Sequence, residues 1–138
     1  MKILVAVDGS KPSLKVVQRL VEHCDWYRER PEVDLVTVHL PVPKVGHIAK
    51  AQLDRYYAEE GEGNLAAAKK KLDAAGVPYR ARILVGPIAE SLVKHAKDQR
   101  CDLIYIGTRG LSGVGAAILG STAIKVLHIS ETPVLLVK

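Results

Sequence analysis

The chain has 138 residues, enough for one domain with a sizeable buried core, and its 48% hydrophobic and 25% charged residues are an ordinary globular balance. No apolar run approaches the roughly 18 residues of a membrane span, and the formal net charge of +5 comes with no nucleic-acid-binding motif. The densest basic run, Lys69-Lys70-Lys71, has Glu59, Glu60 and Glu62 nearby and reads as a solvated helix face, so neither a membrane nor nucleic acid is an expected partner. Cys24 and Cys101 form no C-x-x-C pair and are expected as reduced, buried thiols. The five histidines show no ligand spacing, so a metal site made by protein alone is not expected.

Residues 2–8 are a nearly continuous apolar run, expected as a central parallel strand covered on both faces. Asp8-Gly9-Ser10 is the turn after it, with Ser10 as a helix N-cap and Pro12 in the first turn. Leu14, Val17, Val21 and Cys24 recur at helical spacing and predict a helix to about Tyr27. A second strand follows at 33–40, and Pro41 and Pro43 make 41–46 a loop. Residues 47–76 read as mostly helical, with Leu65, Ala68, Leu72 and Ala75 as the apolar stripe and Gly76 as the stop. The glycines of Glu59-Glu-Gly-Glu-Gly63 should fray or bend that helix, since each costs ~1 kcal/mol against alanine.

A third strand is predicted at 79–85, then a helix with Pro87 at its first position and Ile88, Leu92, Val93 and Ala96 facing inward. Residues 102–106 form a fourth strand, 107–122 a glycine-rich stretch, and a last helix runs to the Thr132-Pro133 stop before a fifth strand at 134–137. Strand and helix alternate throughout. With right-handed crossovers this is a single α/β domain over 1–138, a doubly wound, open, parallel five-stranded sheet of Rossmann-like type. Such sheets bind ligands beyond the carboxyl ends of the strands, where the strand order reverses.

The stretch Gly107-Thr-Arg-Gly-Leu-Ser-Gly-Val-Gly-Ala-Ala-Ile-Leu-Gly-Ser-Thr122 joins a strand to a helix start, which is how α/β proteins build phosphate sites. The N–H groups of the first helical turn would face an anion, and the Ser121 and Thr122 hydroxyls can donate as well. A loop whose Ser or Thr merely caps the helix accounts for the glycines equally well. Residues 115–122 read G-x4-G-S-T, but Ser121 stands where a P-loop needs lysine, so the P-loop route to γ-phosphate transfer is unsupported. Gly61-Glu-Gly63-Asn-Leu-Ala66 matches G-x-G-x-x-A yet follows no strand, and is read as coincidence. No G-x-S-x-G nucleophile elbow is present.

The spacing Gly107-x2-Gly110-x9-Gly120-Ser121 resembles the ATP-binding motif of the universal stress protein family, and the opening Lys2-Ile-Leu-Val-Ala-Val-Asp8 and closing Thr132-Pro-Val-Leu-Leu-Val-Lys138 resemble its first and last strands. The resemblance implies strand order 3-2-1-4-5, with nucleotide held between the ends of strands 1 and 4. It puts Asp8 at the ribose or at a Mg²⁺ that enters with the nucleotide, where the bland alternative is a turn-former bonding its own backbone. It puts Ala6, Val7 and Leu40 at the adenine, Gly107 and Gly110 at the ribose and phosphate chain, and Gly120, Ser121 and Thr122 on phosphate oxygens. Ile106, Thr108 and Arg109 lie beside them, with Arg109 either on phosphate or facing solvent. Many relatives carry Lys or Arg between the second and third glycines; this chain has none.

The implied function is a small ATP-binding stress-response or regulatory protein, with ATP, and Mg²⁺ through it, as cofactor. No general base or arginine finger can be named, so hydrolysis would be slow at most. The alternative is a structural or interaction dimer of the same fold that binds no nucleotide. A third reading, an ATP-using transferase or hydrolase, would need a loop that Asp8-Gly-Ser-Lys-Pro-Ser13 does not supply. The apolar last strand Val134–Val137, at the sheet edge with only Lys138 to blunt it, predicts a homodimer, in keeping with the family's habit. An unidentified protein partner would read the bound state. Met1-Lys2 leads straight into strand-like residues with no secretory signal pattern, so a cytoplasmic location is expected.

Overall fold

The computed structural model describes residues 1–43, 46–109 and 119–138. Strands β1 (Lys2–Ala6), β2 (Glu32–His39), β3 (Tyr79–Val85), β4 (Leu103–Gly107) and β5 (Val134–Val137) form one parallel sheet in the order β3-β2-β1-β4-β5. Helices α1 (Lys11–His23) and α2 (Lys50–Ala74) cover one face, and α3 (Ile88–Asp98) and α4 (Ser121–Ile129) the other. This is the doubly wound α/β fold that the alternation predicts. Among the described residues no helix is long and apolar enough to cross a membrane.

The strand sequences explain the two cores. In β1, Ile3 and Val5 join Val16, Val17 and Leu20 of α1, while Leu4 and Ala6 face Leu92 and Ala96 of α3. A strand buried on both faces has no polar side to alternate with, hence the unbroken apolar run. Ser10 caps α1, its Oγ accepting from Ser13 N at 3.2 Å. The buried stripe of α1 is Ser13, Val16, Val17 and Leu20, with Leu14 and Val21 at its margin, so the predicted face is turned by about one residue. The helix closes in a short 3₁₀ turn, Cys24–Trp26.

Two local expectations are corrected. Pro87 is the N-cap of α3 and not its first residue. The larger correction is α2, which runs unbroken through the patch expected to fray. Gly61 is buried there, and a Cβ on it would lie 2.6 Å from Ile83 Cδ1 and Cγ2. The glycine is the close-approach point of helix and sheet, and packing outweighs its low helix propensity.

Candidate functional site

β1 and β4 lie side by side in register Ile3↔Leu103 to Val5↔Tyr105, and the strand order reverses at this pair. A crevice opens at their carboxyl ends, about 680 Å³ counting the part open to solvent. Its floor is Ala6, Val7 and Asp8 from the end of β1 and Ile106 and Gly107 from the end of β4. One wall is aliphatic, with Val36 and Val38 from β2 and Ile88 and Leu92 from α3. The other is polar, with Arg109, Gly120, Ser121 and Thr122 at the approach to α4.

Asp8 is both a turn-former and a crevice residue. Its Oδ1 accepts from Ser10 N at 2.9 Å and Ser10 Oγ at 2.5 Å, and its own N–H donates to Ser13 Oγ at 3.3 Å. Ser13 Oγ donates on to Ser10 O at 2.9 Å. These bonds fix the carboxylate and use one of its oxygens. A carboxylate has roughly four lone-pair sites, so acceptor capacity toward the crevice remains.

The far wall is set by a backbone staple. Thr108 N donates to Val137 O at 2.9 Å, and Gly120 N donates to Thr108 O at 2.7 Å, which brings the start of α4 against the end of β4. A Cβ on Gly120 would lie 3.2 Å from Thr108 O, closer than most side chains tolerate, so the staple favours glycine there. Gly120 is the N-cap of α4 and no side chain among the described residues caps it; the first intrahelical bond is Ile124 N to Gly120 O at 3.0 Å. The N–H groups of Ser121, Thr122 and Ala123, all crevice residues, therefore precede the first intrahelical bond and have no backbone partner among the described residues, a place suited to an anion.

The aliphatic wall carries a second set of free backbone groups. Val7 N donates to Val36 O at 2.9 Å, while Val33 N reaches Pro78 O at 3.0 Å and His39 O accepts from Gly86 N at 2.9 Å. Even-numbered residues of β2 thus turn their backbone toward β1, and odd-numbered ones toward β3. Val38 is even-numbered and lies beyond the end of β1. Its N–H and C=O find no backbone partner on that side among the described residues.

Nine predicted residues therefore meet in one crevice: Ala6, Val7, Asp8, Ile106, Gly107 and Arg109 with Gly120, Ser121 and Thr122. Thr108 adjoins it and acts through its backbone. Leu40 does not line it; it is 62% exposed past the end of β2. Gly110 lies outside the described residues. Sequence reasoning passed over Ser13, Val36, Val38, Ile88, Leu92 and Ala123. Strand parity, carried two residues back from Leu40, points to Val38; the α3 residues have no local signal, because only the crossover brings them here. Among the described residues, Asp8 and Arg109 are the charged ones lining the crevice. No cluster of three His, Cys, Asp or Glu is found among the described residues, so a divalent cation here would need ligands from a bound anion as well as Asp8.

The universal stress protein family model matches residues 1–138. The chain is 31% identical to universal stress protein MJ0531 of Methanocaldococcus jannaschii, covering 99% of this chain and 81% of that one. Among solved structures, the MJ0577 protein superposes with a TM-score of 0.84 at 27% identity, covering 99% and 94% of the two chains. A universal stress protein in complex with cAMP gives a TM-score of 0.73 at 28% identity, covering 100% and 97%.

Proposed function

Because the chain belongs to the universal stress protein family, we propose that the crevice between β1 and β4 binds an adenine nucleotide, ATP in the first instance, and that the protein acts as a nucleotide-dependent regulator. The carrying observation is that an aliphatic wall and a helix start with no capping side chain among the described residues face each other across a fixed carboxylate. The base would lie against Val36, Val38, Ile88 and Leu92, with the Val38 N–H and C=O offering a donor and acceptor pair to its edge. Asp8 would accept from a ribose hydroxyl. Ser121, Thr122 and the first turn of α4 would hold phosphate, with Arg109 beside them. Mg²⁺, carried by phosphate oxygens, would neutralise charge. The similar protein solved with cAMP supports the reading.

Binding and release of the nucleotide carry the function proposed, and among the described residues Asp8 is the one carboxylate that lines the crevice. The regulator would be cytoplasmic and a homodimer through the outer edge of β5, with a further protein reading its bound state. Calorimetric titration of MgATP tests the reading, with a Ser121→Asp variant beside the parent. Micromolar binding, about −8 kcal/mol, is expected for the parent. Aspartate at the first position of α4 suits the helix dipole and repels phosphate, so the variant should fold and lose binding. No binding by the parent at millimolar ATP overturns the proposal.

A further inference from the structure

The patch of α2 around Gly61 and Asn64 is a close-packing seat behind the crevice. Gly9, next to Asp8, has φ +81°, and a Cβ on it would lie 2.6 Å from Asn64 Oδ1 and 3.1 Å from Asn64 Cα. The Asn64 side chain thus occupies the space that any other residue at position 9 would need. Asn64 Nδ2 also donates to Thr37 Oγ1, at the long limit of 3.5 Å, and Thr37 is 1% exposed on β2 between Val36 and Val38. One turn earlier, Gly61 lets α2 come down onto Ile83 and so brings Asn64 within reach of both segments.

From this we infer that Asn64 is a positioning residue for the nucleoside half of the crevice. It touches no ligand. It stands on the opposite face of the sheet and wedges together the Asp8–Ser10 turn, which carries the carboxylate, and the end of β2, which carries Val38. Both segments lie at strand ends that line the crevice, so a support behind them fixes their spacing. The inference rests on the nucleotide reading above.

The test is titration of ATP and of adenosine into the parent and into Asn64→Ala, Thr37→Val and Gly63→Ala, with a thermal melt of each. Adenosine is the discriminating ligand because it has only the half that Asn64 supports. Asn64→Ala should weaken ATP and adenosine by the same factor, about tenfold, as expected when a supporting shell is loosened. Thr37→Val removes the acceptor and keeps the shape; it should weaken both ligands in the same direction, and it carries the test if Asn64→Ala fails to fold. Gly63→Ala, where a Cβ meets nothing within 4 Å, should leave both affinities unchanged. A merely structural Asn64 would lower the melting temperature and leave both affinities at the parent value, which overturns the inference alone. A parent that binds neither ligand overturns the nucleotide reading and this inference with it.

Discussion

His95 Nε2 lies 2.7 Å from Asp34 Oδ2, joining α3 to β2 inside the sheet, where Asp34 is 2% exposed. The other carboxylate oxygen, Oδ1, is buried with no hydrogen-bond partner among the described residues. The imidazole is therefore the partner that makes a carboxylate tolerable there. His95→Leu should cost about 3–5 kcal/mol, because a buried group is left unpaired. Replacing both, as Asp34→Val with His95→Leu, should recover most of the loss, since an apolar pair has nothing to desolvate. Urea denaturation midpoints of the three proteins measure both effects. A single variant as stable as the parent would show that Asp34 has another partner.

Stability should fall in alkali. Burial pushes the Cys101 thiol up to about 11 from an ordinary 9.0, and burial, with the hydrogen bond shared with Tyr27, raises the Tyr105 hydroxyl from its ordinary 10.0. Between pH 9 and 11 the unfolded chain loses the Cys101 proton while the folded chain keeps it, so the unfolded state binds fewer protons and stability decreases as pH rises. Below about pH 8 these two groups contribute almost no slope. Urea midpoints from pH 8 to 11 should decline above pH 9, and Cys101→Ala should flatten the first part of that decline.

Much of this architecture is legible in the sequence, because parallel strands covered on both faces are written as apolar runs and the glycine spacing is local. β3 and β5 fall on their predicted residues, and the strand order is the one that the family resemblance implies. What fails is what depends on distant partners. Leu40 is apolar and follows β2, yet it is 62% exposed, while Val38 lines the crevice because β1 ends beside it. Gly61 reads as a helix breaker because Ile83, its reason for being glycine, is 22 residues away in sequence and on another element.

The two glycines of that helix should therefore respond oppositely to alanine. At Gly63, where a Cβ meets nothing, alanine should stabilise by about 0.5–1 kcal/mol through helix propensity alone. At Gly61 the same gain is opposed by overpacking against Ile83, typically 1–3 kcal/mol, so Gly61→Ala should be neutral to destabilising. Gly61→Ala with Ile83→Ala should be more stable than the sum of the two single changes predicts, because the second change makes room for the first. Urea denaturation of the four proteins gives the coupling. Additive behaviour would mean that α2 shifts to absorb the methyl.

The proposed dimer has a backbone test. Ile104 N donates to Pro133 O at 2.9 Å and Thr108 N to Val137 O at 2.9 Å, so odd-numbered residues of β5 turn their backbone to β4. Val134 and Leu136 then turn theirs outward, along an edge with no strand partner among the described residues. Beside that edge α4, which packs on β5, leaves Ile124, Leu127 and Ile129 exposed at 47%, 43% and 41%. An unblunted apolar edge of this kind invites a second strand. Leu136→Pro deletes an outward N–H without touching the β4 ladder, because the fixed φ of proline suits an edge strand. Sedimentation should then show a dimer for the parent and a folded monomer for the variant, with unchanged far-ultraviolet circular dichroism. A variant that remains dimeric would move the contact from the strand edge to another surface, with the apolar residues of α4 the first to substitute. A parent that sediments as a monomer would remove the edge from the functional account altogether.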